Sequence, residues 1–147
     1  PMWRILPEFC QKYPKYEQMG LADLCQYVHA LYAKYDIARL TTDMYLSDLT
    51  PAMKPSDAYA HIALRQTERV EIDQLEGRIT VGLVTPYPPG IPLLIPGEVF
   101  NKKIVDYLKF SREFNTKCPG FETDIHGLVE ETGPDGIKRY YADCVKA

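Results

Sequence analysis

The sequence predicts an α+β fold, with helices in the N-terminal half, a small and mainly antiparallel sheet with a C-terminal hairpin, and one further helix at about residues 101–116. Three observations lead there. Apolar residues recur at three- and four-residue intervals in the first part of the chain and again after Asn101, the spacing of an amphipathic helix. From Arg69 the period shortens to two, as a half-buried strand requires. Helices and strands do not alternate regularly, which disfavours a parallel sheet built from β-α-β units. A chain of 147 residues, 46% hydrophobic and 12% aromatic, can bury a core and is expected to form one domain, 1–147, with no internal repeat or long linker.

The elements follow in order. Trp3, Ile5, Leu6 and Phe9 form a short apolar arm, helical in part, that breaks near Tyr13-Pro14 because proline pushes the preceding residue out of α conformation. Leu21, Leu24, Cys25, Val28, Leu31, Tyr32 and Tyr35 make one stripe of a helix over 21–35. The recurring Tyr27, Tyr32 and Tyr35 read as core or inter-domain contacts. A shorter helix is expected over 42–49, ending before Pro51, and another over 55–66, opened by Pro55 in its first turn. Val70 and Ile72, then Ile79, Val81 and Leu83, alternate as two strands joined by a turn at 73–77. Leu93 to Ile95 can form a short strand. Asn101 is the expected N-cap of a helix carrying Ile104, Val105, Leu108 and Phe114, ended by Cys118-Pro119-Gly120. Strands at 127–131 and 137–145, joined across a Gly- and Asp-Gly-rich turn, close the chain.

Composition excludes several function classes. The net charge of −3, from 17 Lys plus Arg against 20 Asp plus Glu, provides no electrostatic case for nucleic acid or an anionic membrane as partner. No apolar run approaches the ~20 residues of a membrane span, and no signal peptide opens the chain, so a soluble, cytoplasmic protein is expected. Cys10, Cys25, Cys118 and Cys144 are irregularly spaced, without the pairing of a zinc site, and are expected to be free thiols.

The segment from Arg78 to Glu98 is the most distinctive. A strand-like apolar run is interrupted by Pro86, Pro88, Pro89, Pro92 and Pro96, with Gly90 and Gly97 at the bends. Prolines lack an N–H and fix φ, so this is a rigid, shaped loop that cannot lie inside a central strand. It is either a stiff connector or the lip of a ligand site. Tyr87 and Glu98 lie in it, and a carboxylate there would attract a cationic amino acid; the structural alternative is that Glu98 caps the following helix.

The Pro86-Tyr-Pro-Pro-Gly-Ile-Pro92 run with Pro96-Gly-Glu98, and Pro119-Gly-Phe-Glu-Thr-Asp-Ile-His-Gly127 downstream, closely resemble the C-terminal domain of the bacterial ornithine/lysine/arginine decarboxylases. Asp57-Ala-Tyr59, Gly77-Arg78 and the lead-in from Leu24 to His29 extend the resemblance over nearly the whole chain. It implies the C-terminal domain of a larger, pyridoxal-phosphate-dependent enzyme that decarboxylates arginine, lysine or ornithine. Its partners would be the catalytic domain of the same polypeptide and other subunits of a homo-oligomer, and the domain would help form the active-site entrance, with Tyr87 and Glu98 as the possible substrate-access residues. In that family the cofactor-binding lysine directly follows a histidine. Here the three histidines precede Ala30, Ile62 and Gly127, so the fragment alone is expected to be inactive and to bind no cofactor.

Two other readings compete. A freestanding interaction or regulatory module related to that domain would bind a protein through its hairpin edge. A small hydrolase would need Glu122, Asp124 and His126, which share one face if the segment is extended and suit a metal or acid–base role; a solvated loop is the structural alternative. Cys118 beside His126 lacks an oxyanion-hole pattern. No catalytic, cofactor-binding or metal-ligating residue is therefore assigned.

Overall fold

Asn101 sets the start of the helix around which the protein is built. In a computed structural model that describes residues 4–147, its side-chain oxygen accepts from the Ile104 N–H at 2.9 Å, which satisfies one orphan donor of helix α5, Lys102–Lys117. Its amide nitrogen donates to Ser47 Oγ at 2.9 Å, so the cap also anchors the preceding connection. Ile104, Val105, Leu108 and Phe114 are buried along α5, as their spacing predicts. Trp3 of the expected N-terminal arm lies outside the described residues.

Helix α1 (Pro7–Lys12) ends at Tyr13 and is followed by a 3-10 turn, Pro14–Tyr16, so the predicted break is present. Phe9 and Tyr16 pack on Phe121, with ring centroids 5.2 and 5.7 Å away, and the Tyr16 hydroxyl donates to the Pro119 carbonyl. Helix α2 (Leu21–Tyr35) coincides with its predicted span, and its Gly20 N–H is taken by the Asp23 carboxylate. Tyr32 lies on Phe110 and Phe114, and Tyr35 on Phe110, so these tyrosines join α2 to α5.

The next helix departs from expectation. α3 covers Ile37–Tyr45 rather than 42–49. Asp36, in the left-handed region at φ 46°, turns the chain after α2, and α3 begins at once. Thr42 is no N-terminal residue. Its hydroxyl donates one turn back to the Ala38 carbonyl, a mid-helix pattern. α4 (Pro55–Ala63) also ends earlier than position 66, because Arg65 adopts φ 54° and the Gln66 N–H closes on the His61 carbonyl.

Three strands form an antiparallel sheet in the order β1 (Thr67–Glu71), β5 (Lys138–Val145), β4 (Leu128–Thr132). β4 and β5 are the predicted hairpin, with Thr132 opposite Lys138. The expected pairing of β1 with 79–83 is absent. β1 instead pairs with the distant β5, Val70 opposite Ala142. Ile72 leaves the strand for a 3-10 turn, Ile72–Gln74, which buries both Ile72 and Leu75. Residues 79–83 make only single bridges, Ile79 to Val99 and Thr80 to Cys144, and Leu94 likewise bridges only Val84. The alternately buried Tyr140, Ala142 and Cys144 make β5 the apolar partner that a local hairpin would lack. A separate two-stranded ribbon pairs β2 (Thr85–Tyr87) with β3 (Asp124–His126).

Core side chains include Ile72, Leu75, Val84, Leu94, Phe100, Ile104, Leu108, Ala142 and Cys144. The 3-10 turn is clamped to α5 from outside: Arg112 donates to Asp73 at 2.6 and 3.2 Å, with Lys109 at 3.5 Å. The Arg112 hydrogen bonds hold the Asp73 carboxyl below its usual range. A depressed folded pKa means that the clamp contributes fully above the unfolded aspartate value, about 3.9, and is lost as pH falls through the folded value. Asp73→Asn is expected to lower stability at neutral pH by about 0.5–1 kcal/mol, the range for half-exposed pairs, and to flatten the acid limb of a urea-midpoint-against-pH curve. An unaltered curve would show that the clamp contributes nothing.

Candidate functional site

The proline loop is a braced projection. Its two arms run antiparallel, pinned at the base where Thr80 N–H donates to the Glu98 carbonyl at 3.0 Å, and midway where Val84 N–H donates to the Leu94 carbonyl at 3.0 Å. Val84, Leu93 and Leu94 are buried beneath it. Above them, Leu83, Tyr87, Ile91 and Ile95 are each 43–54% exposed, which sets a row of large apolar side chains on a stiff support. The Gly90 N–H closes on the Pro86 carbonyl at 2.7 Å, and the Tyr87-Pro88 and Pro88-Pro89 peptide bonds are cis. Pro86 is paired, opposite Ile125, but in a two-stranded ribbon both strands are edges and a missing donor breaks no interior ladder.

The structure separates Tyr87 from Glu98. Tyr87 lies at the far end, its ring on that of His126 with centroids 4.6 Å apart. Glu98 lies at the base and closes its own turn: its carboxylate accepts from the Ile95 N–H at 2.9 Å, while its N–H donates back to the Ile95 carbonyl at 3.2 Å. Pro96 and Gly97 occupy the centre of that turn, where Gly97 has φ 93°, as the Pro-Gly pair of a type II turn demands. Glu98 therefore does not cap α5, since Asn101 does. The two candidates occupy opposite ends of one loop rather than one site.

The Glu122, Asp124 and His126 trio does not assemble either. His126 Nε2 lies 3.0 Å from Asp124 Oδ2, both well exposed, whereas the Glu122 carboxylate turns back to accept from the Gly120 N–H at 2.9 Å. Among the described residues no three His, Cys, Asp or Glu side chains are placed to hold a metal ion. Cys118 is buried, and burial pushes its thiol up, away from the thiolate that a nucleophile needs. What sequence reasoning missed is the Tyr87–His126–Asp124 stack. Its signal was present in the one-face spacing of positions 124 and 126, but their partner lies in a ribbon closed by residues nearly 40 positions away.

Pyridoxal phosphate does not fit the residues present. Every lysine is exposed or half-exposed, so none has the enclosed position of an aldimine-forming lysine. The Ile104 N–H in the first turn of α5 is already taken by Asn101. No helix among the described residues is long and apolar enough to cross a membrane.

A sequence model of the family described as "Orn/Lys/Arg decarboxylase, C-terminal domain" matches residues 38–146. The chain is 41% identical to the lysine decarboxylase LdcA of Pseudomonas aeruginosa, over 99% of this chain and 20% of the relative. It is 35% identical to the constitutive ornithine decarboxylase of Escherichia coli, over 99% of this chain and 21% of the relative. The solved constitutive lysine decarboxylase of E. coli superposes with a TM-score of 0.86 at 33% identity, covering 99% of this chain and 21% of that one. The chain thus spans about a fifth of the length of the relatives it matches.

Gly127 is the hinge on which the ribbon depends. It has φ 93°, and a Cβ there would strike the Leu83 carbonyl oxygen. Gly127→Ala is expected to cost about 2 kcal/mol or more, from left-handed strain plus that collision, and to weaken the Tyr87–His126 ring-current shifts in NMR spectra. Wild-type stability with unchanged shifts would contradict this.

Proposed function

This chain belongs to the Orn/Lys/Arg decarboxylase C-terminal domain family, and we propose that it is the C-terminal domain of a cytoplasmic, pyridoxal-phosphate-dependent decarboxylase of lysine, ornithine or arginine. The parent enzyme would break the bond between the α-carbon and the carboxylate, releasing carbon dioxide and a diamine or polyamine. The cofactor and the groups that work on it belong to the part of the protein outside these 147 residues. This domain's role is architectural: it packs on the catalytic domain, supports a homo-oligomer and furnishes a wall of the active-site entrance.

The observation that carries this reading is the braced loop. Large apolar side chains on a rigid support, exposed within the chain, mark a surface made to be covered or to line a passage. α4 adds a second such surface, because only Ala58 of that helix is buried while Tyr59, Ile62 and the adjoining Leu64 are exposed. Tyr87 supplies an aromatic face and a hydroxyl at the loop's end, and His126 backed by Asp124 holds the ring in place. A passage wall of this kind binds a cationic side chain in ground and transition state alike, so it acts on substrate capture rather than on the chemical step.

The full-length protein supplied with pyridoxal phosphate is expected to release carbon dioxide from at least one of lysine, ornithine and arginine, while the 147-residue chain alone releases none. No release from any of the three would overturn the assignment. Tyr87→Ala in the full-length enzyme is expected to raise KM by about three- to tenfold, up to about 1.4 kcal/mol of uniform binding, with kcat nearly unchanged. An unchanged KM would remove the entrance role of Tyr87 and leave the family activity intact.

A further inference from the structure

Between Ile79 and Gly97 the chain has no Asp, Glu, Lys, Arg or His, so the proline loop carries no charge of its own. Charge reaches its end from β3. In the antiparallel ribbon Asp124 stands opposite Tyr87 and His126 opposite Thr85. Side chains two apart in a strand share a side, so Tyr87, Asp124 and His126 lie on one face. Tyr87 meets His126 as its diagonal neighbour, with ring centroids 4.6 Å apart, and His126 Nε2 lies 3.0 Å from Asp124 Oδ2. Both side chains are open to solvent, 74% exposed for Asp124 and 60% for His126.

The geometry fixes which proton can change. A carboxylate only accepts, so the Nε2 hydrogen points at Asp124 whether the ring is neutral or cationic, and the second proton enters at Nδ1. Asp124 keeps its hydrogen bond in both states, while the pair passes from one net negative charge to none. The other titratable group against His126 is the Tyr87 phenol, and the cleft that Asp124 borders adds Glu122, Glu130 and Arg112. Glu122 accepts from the Gly120 N–H, Glu130 is paired with Lys138, and Arg112 with Asp73. Carboxylates, ammonium and guanidinium groups and phenols do not ordinarily change charge between pH 5 and 8, whereas imidazole does. His126 is therefore the group that sets the charge of the loop end in that range.

We propose that Asp124 is the carboxylate that selects a cationic side chain at the loop end, and that His126 is its titratable counter-charge, so that capture is strongest with the imidazole neutral. This rests on the entrance role of the loop and adds to it a means of regulation. Exposed Tyr87, Ile91 and Ile95 offer apolar contact to the aliphatic part of a basic amino acid, and Asp124 retains lone pairs for its ammonium or guanidinium. Glu98, which the sequence suggests for this part, is engaged in its own turn at the base of the loop. Asp124 and His126 act on capture and not on the bond that breaks. One exposed charge about 7 Å from a cation in water changes capture about two- to threefold.

The test measures KM of the full-length enzyme for the basic amino acid it decarboxylates, at about pH 5.5 and about pH 8, in low and high salt. Titrations elsewhere in the enzyme also move KM, so the readout is the ratio of the acid to the alkaline value, compared between wild type and variants. His126→Gln keeps an N–H donor for Asp124 but cannot take a charge, and its ratio is expected to be about two- to threefold smaller than that of the wild type. A merely structural loss of support for Tyr87 would raise both values together and leave the ratio unchanged. Asp124→Asn is expected to raise KM about two- to threefold at about pH 8 and to weaken the rise of KM with salt. Both side chains are exposed, and each variant decides independently should the other not fold. A wild-type ratio in His126→Gln, or a wild-type KM and salt response in Asp124→Asn, would overturn the proposal while decarboxylation itself continues. A full-length protein that decarboxylates none of lysine, ornithine and arginine would overturn the enzymatic reading and this proposal with it, so the two failures are told apart.

Discussion

Burial of α5 is the constraint on which the rest depends. Ile104, Val105, Leu108 and Phe114 line its inner face, and each such side chain removed from water is worth about 1.5–3 kcal/mol. The helix also distributes contacts outward: Phe110 and Phe114 receive the tyrosines of α2, and Arg112 grips the 3-10 turn below β1. Asn101 sets where this helix starts and is tied through Ser47 to the connection after α3, so one cap aligns two segments of the chain.

A rigid base is what allows the proline loop to project. Its arms are anchored on buried Val84, Leu93 and Leu94, and its ribbon with β3 ties it to the end of the α5 connection. Prolines keep the arms from pairing further and glycines let them turn, so the loop has little conformational entropy left to lose when another surface closes on it. The half-exposed apolar residues of the loop contribute less to the chain's own stability than the buried ones beneath them, and under the proposed function a covering surface gives them a use.

Local signals were legible wherever the stabilising contact was close in sequence. The stripe of α2, the Asn101 cap and the C-terminal hairpin depend on neighbours within a few residues, and their predicted positions agree with the structure. Errors occurred where a distant segment prevailed. The strands expected at 69–72 and 79–83 looked like a hairpin, but β5 offered β1 a longer apolar partner from the other end of the chain. The helix expected over 42–49 was displaced by a local turn instead: Asp36 in the left-handed region lets α3 begin at Ile37, which leaves Thr42 inside it, bonded back to the Ala38 carbonyl. The candidate site divides in the same way: the loop's stiffness was readable from its prolines, whereas the split of Tyr87 from Glu98 and the stacking of Tyr87 on His126 required the ribbon to close.

By itself, the sequence determined the α+β class, the family resemblance and the lack of a histidine–lysine pair, because these depend on residue identity and short-range spacing alone. Tertiary structure alone decided which strand pairs with which, where the Glu98 carboxylate is engaged and that Tyr87 stacks on His126. The physical reason is that hydrogen-bond satisfaction and burial are properties of groups brought together from far apart, and the gain from a non-local contact overrides a local preference worth only a fraction of a kcal/mol to about 1 kcal/mol per residue.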